Sequence, residues 1–331
     1  MFSNRFARAR PFVFLSVLLL SACVSSPPAS AIPSPPGSVA ASPPRPDLAG
    51  RIVFVRSGGI FGDGTVFTAN ANGSDEHQLS DVRGGCCAFA TRDGERVLFD
   101  TPAPDGRVTT ATLNFDGSDR VEIQLPDGTL GLGPGPFSPD GKQIAFEGFD
   151  EAHPEVNGIY IGSADGTNLV RITQDGGIPA DWSPDGTQVL FLRDPDGDAP
   201  GPDRLFVVNV DGSGERQVTP DEVAVECCWG YRWSPDGSRI LFPSDDGILW
   251  LVNADGTDLT QLFVDEKVAR VRRSAFTPTW SPDGTQVMFA LSPQGLSQTP
   301  ANGLYVIDAD GTGLTLVIGD NTFKREPSWI P

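Results

Sequence analysis

The sequence predicts an all-β fold: a six-bladed β-propeller with four-stranded blades, whose closing blade is shared by the N- and C-terminal segments. Three observations carry this. Beyond residue 50 a β-rich run ending in [Asp/Asn]-Gly-[Ser/Thr] recurs six times. A second phrase, Ser-Pro-Asp-Gly after an aromatic residue, falls between those copies. The repeat region also opens on the half of a unit that its last residues lack.

The first phrase stands at Asn72-Gly73-Ser74, Asp116-Gly117-Ser118, Asp165-Gly166-Thr167, Asp211-Gly212-Ser213, Asp255-Gly256-Thr257 and Asp310-Gly311-Thr312. Its glycines lie 44, 49, 46, 44 and 55 residues apart, a period that suits four short strands per unit. Asp-Gly and Asn-Gly between β runs are strong hairpin signals, because Gly accepts the positive φ of a tight turn. The second phrase stands at residues 138–141, 183–186, 234–237 and 281–284, with Thr91-Arg92-Asp93-Gly94 as a worn copy. Phe137, Trp182, Trp233 and Trp280 precede it, and runs such as Gln188–Leu192 follow. Each unit thus reads as aromatic first strand, turn, Ile/Val-x-Phe second strand, loop, third strand, Asp-Gly turn, fourth strand. An Asp-x-Asp-Gly opening also suits a calcium loop, but no Glu follows at the required position. The aromatics are expected between neighbouring blades as core.

The ends support closure. Pro327-Ser328-Trp329 is a first strand with no second strand after it, and Ile52-Val53-Phe54 is a second strand with no first strand before it. Joining them removes the open sheet edges of a linear array. Residues 51–331 are therefore expected to form one domain.

Trp-Ser-Pro-Asp-Gly, the Ile/Val-x-Phe run and the Asp-Gly turn together resemble the WD-like repeats of the TolB propeller, over nearly all of 51–331. Related propellers precede the hydrolase domain of prolyl-oligopeptidase-type enzymes. Where an α/β domain precedes the TolB propeller, a lipobox and a tether stand here. The resemblance implies a periplasmic or cell-surface propeller that recognises a partner.

Arg5, Arg8 and Arg10 form a basic leader, and Phe12–Leu20 is apolar apart from Ser16. Such a stretch is too short to span a bilayer and reads as an export signal, residues 1–22. It ends Leu20-Ser21-Ala22-Cys23, which resembles the lipobox of bacterial lipoproteins. That resemblance implies cleavage before Cys23, diacylglycerol on its sulfur and acylation of the new N-terminus (palmitate among the chains), enough to hold a protein on a membrane. Residues 23–50 follow as the acylated Cys and a tether. Eight prolines among Ser, Ala and Gly in 24–47 favour extended polyproline structure, with a reach of roughly 75 Å.

Composition excludes several functions. Lys plus Arg number 24 against 43 Asp plus Glu, a formal charge of −19 that becomes more negative when the leader is cleaved. That argues against nucleic-acid binding and against membrane contact other than through the lipid. Only two histidines, His77 and His153, are present, which leaves little for His catalysis. No Gly-x-Ser-x-Gly elbow, phosphate-cradling loop or haem motif occurs; no cofactor is called for, no metal is assigned, and a monomer is expected. The expected function is a lipid-anchored recognition module of the bacterial cell envelope, on the periplasmic side of the outer membrane or the cell surface, binding a protein or a small or anionic ligand. The rival is a carbohydrate- or peptide-active hydrolase with carboxylates at the channel mouth.

Two adjacent cysteine pairs, Cys86-Cys87 and Cys227-Cys228, enter opposite blades. An exported chain favours their oxidation, and four cysteines allow three pairings. Two vicinal disulfides are the leading expectation, with cross-ring bonds and a four-thiolate zinc site as alternatives. Sorting charges by loop places Arg83, Lys267, Arg270, Arg272, Arg273, Lys324 and Arg325 in a basic arc on one half of the loop face. Opposite lie Asp150, Glu151 and Glu155, then Asp194, Asp196, Asp198 and Asp203, then Asp221, Glu222 and Glu226. The run Asp194-Pro195-Asp196-Gly197-Asp198 also offers oxygen ligands to a hard cation, though a solvated acidic loop is the better reading. A mouth of two signs would orient a partner and place an anionic group over the arc.

The lipobox reading gives a direct test. Cys23→Ser is expected to move the protein from the membrane fraction to the soluble one, scored by immunoblot of fractionated cells.

Overall fold

The computed structural model describes residues 48–57, 64–79, 88–102, 108–123, 131–150, 152–193, 203–225, 230–245, 247–263, 275–291, 302–320 and 322–331. Its strands fall into six antiparallel sheets of four. The first blade takes β24 (Phe323–Ile330) from the C-terminal end, then β1 (Arg51–Ser57), β2 (Gly64–Asn70) and β3 (His77–Gln78). The second holds β4 (Phe89–Ala90), β5 (Arg96–Pro102), β6 (Val108–Asn114) and β7 (Val121–Glu122). The third holds β8 (Gly131–Phe137), β9 (Gln143–Phe149), β10 (Gly158–Ser163) and β11 (Val170–Arg171). The fourth holds β12 (Ile178–Trp182), β13 (Gln188–Arg193), β14 (Arg204–Asn209) and β15 (Arg216–Gln217). The fifth holds β16 (Arg232–Trp233), β17 (Arg239–Pro243), β18 (Leu249–Asn253) and β19 (Thr260–Phe263). The sixth holds β20 (Ala275–Trp280), β21 (Gln286–Leu291), β22 (Asn302–Asp308) and β23 (Thr315–Asp320).

The first strands touch in a circuit that closes, β24 to β4, β8, β12, β16, β20 and back to β24. Closure runs as expected: β24 pairs with β1 from Arg51 opposite Ile330 to Ser57 opposite Phe323, with one irregularity between Val53 and Val55. The packed chain starts ahead of residue 51. Leu48 is buried against Trp329, the Ala49 carbonyl accepts from Trp329 Nε1 at 2.9 Å, and the Gly50 carbonyl accepts from Ala71 N.

The apolar interior is six seams, one between each pair of neighbouring blades. A β-strand alternates its side chains between two faces, so the second strand of each blade feeds two seams. Phe54, Phe99, Phe146, Phe191, Phe242 and Phe289 occupy the same place in that strand and are 0–1% exposed. Each turns toward the preceding blade, and truncating one to Ala would cost about 3–5 kcal/mol. The residues on either side, such as Val53 and Val55, turn toward the next blade. The expected core role of the phrase aromatics holds as well: Trp182, Trp233, Trp280 and Trp329 are all buried.

The two recurring phrases are turns, closed by their own side chains. At residues 183–188 Gly186 N donates to the Ser183 carbonyl (2.9 Å), Ser183 Oγ donates to Asp185 Oδ1 (2.6 Å), and Thr187 N donates to the same oxygen (3.0 Å). Ser183 Oγ in turn accepts from Gln188 N. Gly186 has φ +72°, and its Cα faces Pro139 of the preceding blade's turn. The third-to-fourth-strand turns repeat the logic, with Ser213 N and Oγ both donating to Asp211 Oδ1.

Hydrogen bonds from Ser138 and Ser234 bring the Asp140 and Asp236 carboxyls down to about 2, and those of Asp185 and Asp283 shift the same way. These pKa values lie below the unfolded value of about 3.9, so the contribution is complete above that pH and is lost as pH falls through the folded values. The melting temperature is therefore expected to be flat from about pH 7 to 5 and to fall steeply between about pH 4 and 2, as read by circular dichroism. Asp236→Asn is expected to make the acid limb shallower.

Candidate functional site

The residue that precedes the phrase aromatic in each first strand (Ala90 holds the aromatic's place in the second blade) is Ser328, Phe89, Pro136, Asp181, Arg232 or Thr279, in blade order. Strand alternation turns this position away from the aromatic's face, and contacts from these residues cross the ring. Arg232 of the fifth blade stands 5.6 Å from the Phe89 ring of the second, and its Nη1 donates to the carbonyls of Ala180 (3.2 Å) and Tyr231 (3.0 Å). Arg92, which takes the proline's place in the worn turn copy, donates through Nη2 to the Trp182 carbonyl at 3.2 Å and approaches Asp181 at 4.0 Å. Burial lowers the Arg232 pKa; the carboxylates of Asp181 and Glu326 oppose that shift. Two arginines and two carboxylates thus gather on the ring axis. A cavity of only about 10 Å³ lies beside Phe89, Ala180, Tyr231 and Arg232, room for about one water.

Both carboxylates also hold neighbouring blades together. Asp181 Oδ2 accepts from Trp233 N at 2.8 Å, and Glu326 Oε2 accepts from Ala88 N at 3.2 Å. Thr277 Oγ1 accepts from Glu326 N at 2.9 Å and Thr279 Oγ1 from Trp329 N at 3.4 Å. Thr277 and Glu326 have φ of 48° and 55°, a left-handed conformation that costs a non-glycine residue about 1 kcal/mol or more. This chain of side-chain-to-backbone bonds fixes it. The carboxylates on the axis are bonded to backbone N–H groups of the next blade, which suits a scaffold. Glu147 on β9 is a further carboxyl whose pKa burial raises, and it faces the third-to-fourth-blade seam.

On the loop face the structure corrects three expectations, Lys324, Arg325 and Asp150. Lys324 is no loop cation: it lies within β24, opposite Arg56, with its side chain wholly buried. Its Nζ donates to Asp320 Oδ1 at 2.6 Å and to the Thr322 carbonyl at 3.2 Å. Asp320 also accepts from Arg56, whose Nε and Nη2 grip Glu76 at 2.5 and 2.7 Å. Burial acts to raise the Asp320 pKa, but hydrogen bonds from Lys324, Arg56 and Thr322 outweigh it and hold the carboxyl well below its usual range. Burial lowers the pKa of Lys324, opposed by Asp320. The network ties β24 and β1 to the sixth blade's outer strand. Arg325 also belongs to β24, 3.9 Å from Glu326.

Among the expected acidic residues, Asp150 is buried and receives Ala152 N and His153 N on Oδ1. It therefore shapes its loop rather than facing a partner. His153 is exposed beside it, with Nδ1 3.3 Å from Asp150 Oδ2. Glu155 is exposed in a short 3-10 turn (Pro154–Val156), and its carbonyl accepts from Arg171. Asp203 is half-buried, whereas Asp221 and Glu222 are exposed, and Asp221 Oδ1 accepts from Gln217. His77 lies exposed on β3. Cys23, Arg83, Cys86, Cys87, Glu151, Asp194, Asp196, Asp198, Glu226, Cys227, Cys228, Lys267, Arg270, Arg272 and Arg273 lie outside the described residues. Arg92, Asp181, Arg232 and Glu326 were not singled out from sequence; the signal for Asp181 and Arg232 is their place directly before a phrase tryptophan.

Ring closure, four-stranded blades and a first-strand axis define a six-bladed β-propeller. No protein-family model matches the chain. It is 30% identical over 160 residues to the protein TolB homolog of Chlorobium luteolum, a match that takes in 47% of this chain and 32% of that relative. The chain thus spans about a third of the length of the curated relative it matches. The TolB crystal structure from Acinetobacter baumannii aligns with a TM-score of 0.66 at 19% identity, over 86% of this chain and 68% of its own. A putative TolB from Agrobacterium tumefaciens aligns at 0.60 and 17%, over 86% and 99%. In architecture the chain is a six-bladed propeller like those of TolB, and over 160 residues its sequence is similar to the TolB homolog.

The axis cluster sets a stability prediction. Asp181→Ala strips Arg232 of an opposing charge and leaves Trp233 N without its acceptor, at an expected cost of about 3 kcal/mol. Asp181→Asn keeps an acceptor for Trp233 and should cost less; urea unfolding of both variants measures the difference.

Proposed function

We propose that the chain is a recognition module of the bacterial cell envelope, held to a membrane by lipid on Cys23 and binding its partner on the loop face without catalysis. The observation that supports this most is the TolB likeness, found both in the repeat sequence and in the closed ring. The engagement of Asp181 and Glu326 by backbone N–H groups also favours binding over hydrolysis, since a catalytic pair must present its oxygens to a substrate. With Lys324 and Arg325 both drawn into β24, the anion-facing half of the proposed surface rests on Arg270, Arg272 and Arg273, with Arg83 and Lys267 beside them.

Crosslinking and capture from native envelopes, using wild type and the Arg272→Glu/Arg273→Glu double variant, tests this reading. The double variant is expected to melt like wild type and to lose both affinity for the captured partner and its salt dependence. Equal capture by both proteins would move the site elsewhere. Turnover of glycan or peptide substrates by the wild type would replace the reading with a hydrolase.

A further inference from the structure

The six blades serve as internal controls for one another, and of the three that open the second strand with arginine, one leaves that arginine beside an open cleft. The residue that opens each second strand lies next to the residue that ends the third. In the fourth and sixth blades Gln188 and Gln286 donate to Asn209 and Asp308 at 2.9 Å. In the second blade Arg96 spends its guanidinium on Asn114, Thr112 and Asp119. In the first blade Arg51 stands over the Phe115 ring of the next blade, 4.0 Å from its centre.

The fifth blade carries Arg239 at this position. Leu251 stands where Arg96 has Thr112, so that acceptor is gone, and Ala309 stands where Arg51 has Phe115, so no ring covers the seam. Arg239 instead leans on the buried Trp280 of the sixth blade at 5.3 Å. Among the described residues its guanidinium makes no hydrogen bond. The space left is an open cleft of about 250 Å³ on the turn side of the fifth-to-sixth-blade seam, just below the range of small-ligand sites, about 300–1,000 Å³.

The lining decides the chemistry. Arg239 and Gln261 bring donors, the Asn253 amide being spent on Thr257 Oγ1 and Asp258 Oδ2, while Asp258, Asp310 and Thr260 bring acceptors, over an apolar floor of Leu251, Leu262 and Ala309. Asp258 and Asp310 repel an anion, and Arg239 offsets part of their pull on a cation. Planar amide, carboxylate and guanidinium groups grip vicinal hydroxyls two at a time, and the apolar floor suits the C–H face of a sugar ring. We propose that this seam binds a neutral saccharide, one pyranose unit of a larger glycan. The site is on the opposite side of the ring from the loop face and does not depend on the partner proposed there.

Saturation-transfer NMR of the folded propeller with methyl glycosides of glucose, galactose and N-acetylglucosamine tests this. Saturable millimolar binding of at least one neutral glycoside is expected. Two variants copy sister blades into the seam: Ala309→Phe restores the ring of Phe115, and Arg239→Gln restores the glutamine of the fourth and sixth blades. Each that melts like wild type is expected to weaken binding about tenfold or more. The proposal is overturned if no neutral glycoside binds, if binding survives in the folded variants, or if glucuronate or glucosamine binds better than its neutral parent.

Discussion

A blade exposes two apolar faces and can cover neither alone. Burial of the second-strand phenylalanine against the preceding blade is therefore the constraint from which the rest follows. Phe54 of the first blade has only the sixth blade to lie against, among Met288, Ala290 and Leu304. The ring has to close for that seam to exist. Closure brings β24 beside β1, and with it the ion network of Lys324, Asp320, Arg56 and Glu76. Arg56 also spans the rings of Phe54 and Phe67 at 5.7 and 5.4 Å. Arg193 repeats the device in the fourth blade, over Phe191 and Phe206 and bonded to Glu215. Cations thus cap the ends of seams whose interiors are aromatic.

What was legible in the sequence was what local chemistry repeats. Asp-Gly and Ser-Pro-Asp-Gly announced turns because only glycine tolerates the φ they need and the aspartate satisfies the N–H two residues on. Six such periods, with complementary half-units at the ends, were enough for the ring. Single residues whose role is set by strand pairing or by the closing of a loop were not legible. Lys324 and Arg325 read as a charged loop because two adjacent cations seldom enter a sheet. Their strand is set by pairing with β1, and the charge of Lys324 is met by Asp320, which no pattern within one repeat reveals. Asp150 likewise read as one of a run of acids, yet it is buried because its carboxylate closes a loop.

The ring axis and the seams divide the labour between side chains. Asp181, Glu326, Thr277 and Thr279 each accept a backbone N–H from the neighbouring blade, so innermost strands as short as two residues in β4 and β16 are held by side chains as well as by pairing. Arg232 and Arg92 then balance the charge those carboxylates bring inward. A scaffold fixed in this way leaves loops and outer seams free to vary without disturbing the axis, which is where binding chemistry accumulates on repeat folds.

The order in which the chain is made gives the closing blade a further consequence. Arg56 and Asp320, bonded in the finished ring, are 264 positions apart. A ribosome or a membrane pore releasing the chain from its N-terminus delivers β1 first and its neighbour β24 last. Until then β1 has an unpaired edge and Phe54 no blade to rest on. The five later blades can assemble as they emerge, but the ring remains an open arc awaiting its final strand. Loop-closure entropy falls due in that single late step, and an unpaired β1 is the edge for which a holding chaperone would be most useful.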